Sequence, residues 1–268
     1  MSFRELRQDS LLCYQSDLLT VSHGFTTRKG GVSTGIFASM NLGVHRGDLR
    51  ENVLRNYDIL GRAIGFDPHR LVGAVQVHRD DVRLCTAGDW GKGLYVTTDY
   101  EADALITDTP GTALMVYSAD CGTILIEDRR TGAVGACHAG WRGAAMGIAE
   151  KTARAMTERF GSRPEDLYAA TGPCIAQDCF ETDRDVPDAV RAGLGVEAEA
   201  AIRQTGEKYH VDLKAVNRLF LLRAGLSPEH IDVSPLCTAC DPDTFWSARR
   251  HGGDRGSLAA VIVCGGAS

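Results

Sequence analysis

Between residues 103 and 139 four apolar runs follow one another with almost nothing between them: ALITD from Ala104, TALMVYSAD at 112–120, TILIED at 123–128 and AVGACHA at 133–139. Each is short and each is closed by polar or glycine-bearing turn residues, the Thr131-Gly132 pair being the plainest. Strands this close in sequence leave no room for crossover helices. The pairing they predict is antiparallel or mixed rather than a strict βαβ series. After His138 the period changes. Ala145, Ile148, Ala149, Thr152, Met156 and Phe160 recur at helical spacing, which predicts a helix over 142–160 stopped by Gly161 and Pro164. The same spacing predicts helices over 50–64, near 185–193, and over 211–224. DLYAATG at 166–172 and LVGAVQV at 71–77 read as strands, and SLAAVIVCG at 257–265 closes the chain as another. The expected class is α/β (α+β), a mixed sheet core with outer helices.

Length and composition bound the rest. A chain of 268 residues with 44% hydrophobic and 24% charged residues has enough material for a sizeable core. No repeat or Pro/Ser-rich linker divides it, so one domain over 1–268 is expected. The formal net charge of −6, with no long basic run, argues against a nucleic-acid polymer as partner but leaves room for a local basic pocket. No stretch approaches the length of a membrane span, and the first twenty residues lack the continuous apolar stretch of a secretory signal. The cytoplasm is the expected compartment.

Nine cysteines, an odd number without a secretory signal, do not read as a disulfide framework. In a reducing compartment the roles left are packing, metal binding and nucleophilic chemistry. His78, Cys121 and His138 stand out because each falls at or near the end of an expected strand, where strands of one sheet converge on its rim. One thiolate and two imidazoles suit Zn²⁺, and three protein ligands leave a fourth position open, as catalytic sites do. Packing is the alternative for each of the three taken alone. The intervals of 42 and 16 residues match no zinc-finger spacing. Cys237-Thr-Ala-Cys240 reads chiefly as packing, with half a zinc site or a redox pair as the alternatives, since no second C-x-x-C accompanies it. Cys137 must point to the face opposite His138 and reads as core.

Asp120, next to Cys121, is placed to orient a ligand, exchange protons or touch substrate, or to serve only as a hydrogen-bonded loop aspartate. Two glycine-bearing segments carry cations. Thr26-Thr27-Arg28-Lys29-Gly30-Gly31 can form an anion nest with Arg28 clamping a phosphate, although a plain turn also accounts for it. His138-Ala-Gly-Trp-Arg142-Gly143 runs into a helix N-terminus, where free N–H groups favour anions. Arg249-Arg250 offers a third anion contact or a solvated pair.

These segments together resemble the YfiH-like family, also called the laccase-domain or multicopper polyphenol oxidase family. The matching stretches run nearly the whole chain: HGFTTRKGGVS (23–33), SMNLGVHRGD (39–48), QVH (76–78), DALIT (103–107), ADC (119–121), HAGWRG (138–143), GPCI (172–175), DL (212–213), NR (217–218), CT (237–238) and RR (249–250). The resemblance implies packed mixed β-sheets flanked by helices and a zinc site whose ligands, carried over by motif, are His78, Cys121 and His138. It also implies cleavage of adenosine, inosine, guanosine and methylthioadenosine by phosphate, together with adenosine deamination. Some members are linked instead to hydrolytic editing of a peptidoglycan precursor. The chain departs from many relatives in having Gly122 where they carry proline and in lacking an aromatic residue just before Arg249-Arg250; neither change touches a proposed ligand.

The expected enzyme is therefore a zinc-dependent purine nucleoside phosphorylase with deaminase activity. A precursor-editing amidase is the alternative, and a copper-dependent polyphenol oxidase the disfavoured one. The eight histidines fall short of a multicopper set, and no methionine is placed by motif as an axial ligand, so Cu²⁺ stands only as the alternative to Zn²⁺. A zinc-stabilised binding protein is the non-enzymatic reading. Asp120, Cys121 and Arg28 are the candidate catalytic residues, and Arg28, Arg142 and Arg250 the candidate phosphate contacts. The expected partners are nucleosides and phosphate, with no membrane, nucleic-acid polymer or obligate protein partner.

Overall fold

A computed structural model describes residues 3–265. Its first sheet contains β1 (Phe3–Gln8), β2 (Leu11–Ser16), β3 (His23–Thr26), β4 (Leu71–Val72), β7 (Ala113–Ser118) and β15 (Leu258–Val263), in the order β1-β2-β3-β15-β7-β4. The second contains β5 (Val82–Leu84), β6 (Ala104–Thr107), β8 (Gly122–Asp128), β9 (Val134–Ala139), β10 (Leu167–Thr171) and β14 (Ile231–Val233), in the order β14-β10-β8-β9-β6-β5. A small third sheet joins β11 (Glu181–Thr182), β12 (Ile202–Thr205) and β13 (Lys208–Val211). Pairing is antiparallel except at β4–β7, β5–β6 and β10–β14, so the mixed sheets expected from the closely spaced runs are present.

The alternation of side chains along each strand sets the layers. On the first sheet Met115, Ala259 and Val261 face helix α1 (Arg50–Ile64), packing with its Val53, Tyr57 and Leu60. Their neighbours Leu114, Val116, Ala260 and Ile262 face inward and meet Leu105, Leu125 and Ala136 of the second sheet. The second sheet's other face presents Ile106, Ile124, Ile126 and Cys137 to α3 (Ile148–Phe160) and α5 (Leu213–Arg223). The central strands of the two large sheets are thus buried on both faces, which explains why β8 and β9 are continuously buried rather than alternately exposed, while the edge strands β1 and β5 are not. Helices α2 (Trp141–Ala145) and α4 (Asp185–Leu194) pack on the same outer face as α3 and α5; α6 (Ala248–His251) is a single turn. This mixed α/β architecture is the one expected.

Two elements differ from the sequence reading. The strand over 71–77 ends at Val72. Gly73 turns out of the sheet, donating to the Lys92 carbonyl, and packs so closely on Gly93 that a Cβ on Gly93 would lie 3.1 Å from its Cα. Residues 73–81 become a loop that carries His78. The helix over 142–160 breaks at Gly147, whose φ of +76° is left-handed, and a Cβ there would lie 2.9 Å from the Phe220 ring. The apolar stripe runs through the break because α2 and α3 both rest on the same core.

Candidate metal centre

His138 lies in β9, Cys121 in the turn between β7 and β8, and His78 in the loop after β4. Their ligand atoms all fall within 4.8 Å of one another, with Cys121 Sγ 4.0 Å from His78 Nε2. Gly140, immediately before α2, makes the approach feasible. A Cβ there would stand 2.7 Å from His78 Cδ2, 3.4 Å from His138 Cε1 and 3.5 Å from Cys121 Sγ. The step from His138 through Gly140 into α2 therefore serves as the bare floor of a three-donor cradle. Two imidazoles and a thiolate at these separations fit a metal ion with one coordination position open.

Asp103 aligns this cradle, and the sequence reading passed over it. It directly precedes β6 and is fully buried. Because Ala104 pairs with Cys137, Asp103 sits opposite His138. Its Oδ1 accepts from the His78 amide (3.1 Å) and pairs with His138 Nδ1 (2.8 Å); its Oδ2 accepts from the amides of Val77 (3.0 Å) and Arg79 (2.9 Å). One carboxylate thus fixes both the loop of His78, where φ is +61°, and the ring of His138, leaving Nε2 of His138 to face the centre. Burial alone would raise the Asp103 carboxyl, but His138 and these amides hold it below the ordinary carboxylate range. The sequence signal was an aspartate at the head of an apolar strand, which only the strand register turns into a partner for a histidine.

Burial pushes the Cys121 thiol up, but the His138 and His78 imidazoles outweigh it and bring the thiol down to about 6. Burial pulls His138 down, but the Cys121 charge and Asp103 outweigh it and lift the imidazole to about 9. Both shifts favour charge separation, a thiolate beside an imidazolium, and a cation entering between them would displace the imidazole proton.

The three donors line a cavity of about 490 Å³. Val75, Leu94, Val96 and Tyr117 give it an apolar wall. Tyr117 is fixed by Gln76, which bonds its backbone on both sides (2.6 and 2.8 Å), and by a hydroxyl contact with Tyr57 (2.8 Å). Arg46, Arg50 and Arg255 supply cations. The Nε of Arg255 is buried with no hydrogen-bond partner. Burial and the neighbouring Arg46 charge bring its guanidinium down to about 10. Two like charges beside one another, one with a buried unpaired N–H, form a pocket short of an anion.

The other residues singled out in the sequence lie elsewhere. Arg28 donates to the carbonyls of Ala38 (3.0 and 3.2 Å) and Pro242 (2.9 Å) and lies 3.8 Å over the Trp246 ring; it does not line the cavity. Arg142 is exposed and rests on Trp141, and Arg250 donates to the Ala239 carbonyl at 2.7 Å. Asp120, at φ +91°, accepts from Thr238 Oγ1 (2.6 Å), Ser247 Oγ (2.9 Å) and the Arg249 amide (2.7 Å). Both of its oxygens are engaged by these donors and it is not among the residues lining the cavity, so the geometry makes it a brace between loops. Cys137 is core, as expected, whereas Cys240 is exposed rather than packed.

Fold and centre together define the class to which the protein belongs. Residues 22–265 match the model of the family described as multi-copper polyphenol oxidoreductase laccase, and the chain belongs to that family. Among its relatives, the purine nucleoside phosphorylase YlmD of Bacillus subtilis is 39% identical over 242 residues, covering 89% of this chain and 87% of its own. The protein of the same name from Geobacillus stearothermophilus is 40% identical over 242 residues, covering 89% and 88%. The crystal structure of the Bacillus licheniformis hypothetical protein YfiH superposes with a TM-score of 0.91 at 35% identity, covering 99% of both chains. No helix among the described residues is long and apolar enough to cross a membrane.

Proposed function

We propose that this chain is a zinc-dependent purine nucleoside phosphorylase that cleaves adenosine, inosine, guanosine and methylthioadenosine and also deaminates adenosine. The observation that carries the reading is the arrangement of the cavity. The His78–Cys121–His138 donors line it, Arg255, whose buried Nε has no partner, lies beside Arg46, and an apolar wall completes it. A volume of about 490 Å³ is in the range of small-molecule sites. Relatives that bear the phosphorylase name over most of their length support the same reaction class.

In this reading Arg46 and Arg255 take the phosphate, replacing the missing counter-charge between them. The base lies against Val75, Leu94 and Val96. A phosphate oxygen forms the bond to the anomeric carbon as the bond from that carbon to the purine nitrogen breaks. The electron pair leaves with the base, which is protonated from solvent at the open side of the cleft. Asp103 contributes by orientation alone, holding His78 and His138, and Asp120 by bracing the turn that bears Cys121. Zn²⁺ held by the three donors supplies Lewis-acid chemistry, which both departure of a purine and hydrolytic deamination can use. Zinc is preferred to copper because no methionine among the described residues lines the cavity to act as an axial ligand.

The test is product analysis of adenosine incubated with metal-loaded protein. Adenine and ribose 1-phosphate that form only with phosphate support the phosphorylase, and inosine formed without phosphate supports the deaminase. Absence of all three products refutes the proposal. One observation favours a second reading: the lowered thiol of Cys121 beside His138 is also the arrangement of a cysteine amidase. A substrate adduct on Cys121 in metal-replete protein would favour that amidase over the phosphorylase.

A further inference from the structure

A second cluster of donors lies outside this cavity. Cys179 closes the short 3-10 turn Gln177–Cys179 between β10 and β11, and Cys237 and Cys240 belong to the loop after β14. The three sulfur atoms all fall within 4.8 Å of one another, with Cys179 Sγ 3.3 Å from Cys240 Sγ. Thiolates bound to one zinc at about 2.3 Å with tetrahedral angles stand about 3.8 Å apart. The Cys179–Cys240 separation is about 0.5 Å below that value and the others are at most 4.8 Å, so small side-chain adjustments bring the three to it.

The loops that bear these thiols are already tied in place. Arg249 donates to the carbonyls of Cys179 (2.8 Å) and Glu181 (3.1 Å), and Arg250 donates to the carbonyl of Ala239 (2.7 Å). Cys174 and Cys237 form an isolated backbone bridge. The Ala176 amide donates to Cys237 Sγ at 3.2 Å, the kind of contact that outer partners make to ligating groups. Core packing accounts for Cys179 and Cys237, which rest half-buried against the core, but not for the exposed Cys240 that closes on them. A simple thiol–disulfide pair would leave a third sulfur converged without purpose.

We propose that Cys179, Cys237 and Cys240 form a second metal site, for a thiophilic cation of the Zn²⁺ or Cu⁺ kind, with its remaining position open to solvent through Cys240. Three thiolates and no harder donor select soft ions over Mg²⁺ or Ca²⁺. The site clamps the 237–240 loop against the turn of Cys179. Thr238, between the two ligating cysteines of that loop, donates to Asp120 beside Cys121. The bound ion is therefore a structural pin behind the first centre, and the inference does not depend on which reaction that centre performs.

The full-length chain, reduced with a non-chelating phosphine, is loaded with Zn²⁺ in one arm and with buffered Cu⁺ under anaerobic conditions in the other, then desalted and assayed for metal. Wild type should retain about one ion more per chain than the Cys179→Ser/Cys240→Ser variant in at least one arm. The arm that shows the difference identifies the ion. Equal metal content in wild type and variant in both arms overturns the proposal. Should the variant fail to fold, anomalous scattering from metal-soaked wild-type crystals decides. A peak between the three sulfurs supports the site, and its absence, or a Cys179–Cys240 disulfide persisting in reduced protein, refutes it.

Discussion

Replacing Asp103 with asparagine keeps the shape of the side chain and removes its charge, and the structure sets the cost. Each carboxylate oxygen serves two N–H groups: Oδ1 those of the His78 amide and the His138 ring, Oδ2 those of Val77 and Arg79. Whichever way the amide is turned, its NH₂ end meets two donors. Two hydrogen bonds to a buried charge are lost, at about 1.5–3 kcal/mol each, so the Asp103→Asn variant should unfold about 3–6 kcal/mol more easily. For a chain of this size that lowers Tm by on the order of 10 °C. Because the same carboxylate aims His138 and shapes the loop of His78, affinity for Zn²⁺ should fall about 10–100-fold. Denaturant unfolding of the metal-free proteins gives the first number, and competition with a chromophoric chelator gives the second. A variant within about 1 kcal/mol of wild type, with unchanged zinc affinity, would show that Asp103 neither holds the loop nor orients the ring.

The remaining predictions concern the cavity. Cys121→Ser should lose the zinc of the first centre, about one ion per chain by elemental analysis, whereas full retention would make the thiol a nucleophile only. Arg255→Ala should raise the KM for phosphate at least about tenfold with zinc content unchanged, as expected for loss of a charged anion contact. Arg28→Ala should leave that KM alone and instead cost about 1–3 kcal/mol of stability through lost carbonyl bonds and the Trp246 contact. The opposite pattern would return the phosphate to Arg28. Gly140→Ala, whose added methyl meets the His78 ring at 2.7 Å, should release zinc more readily while leaving the far-ultraviolet circular dichroism unchanged. Wild-type retention of zinc would show that the ring has room to move.

The three donors of the centre stood out because histidine and cysteine are chemically conspicuous, but the expectation that each ends a strand of one sheet does not hold: His78 lies in the loop beyond Val72, and β4 and β9 belong to different sheets. The layers were legible in part: the tight succession of apolar runs over 103–139 announced mixed pairing, and the stripes over 50–64 and 211–224 announced α1 and α5. The hidden features are those that depend on tertiary register. Asp103 becomes the partner of His138 only once Ala104 is paired with Cys137. Arg46 and Arg255 belong to distant segments with no local mark of an anion site, whereas Arg28, with two hydroxyls and two glycines beside it, has that mark and spends its guanidinium on carbonyls. Cys179 is likewise far in sequence from the C-x-x-C pair it meets. The break at Gly147 was masked because an apolar stripe keeps its spacing when two short helices share one core.

The central claim, that phosphate attacks a purine nucleoside in the cavity beside His78, Cys121 and His138, is tested most directly by the fate of phosphate oxygen. Zinc-loaded protein is incubated with inosine and ¹⁸O-labelled phosphate, and the sugar product is examined by mass spectrometry. The account predicts ribose 1-phosphate that carries the full label of the phosphate supplied, formed in equal amount to hypoxanthine. Free ribose, or hypoxanthine released at the same rate without phosphate, would make water the nucleophile and contradict it.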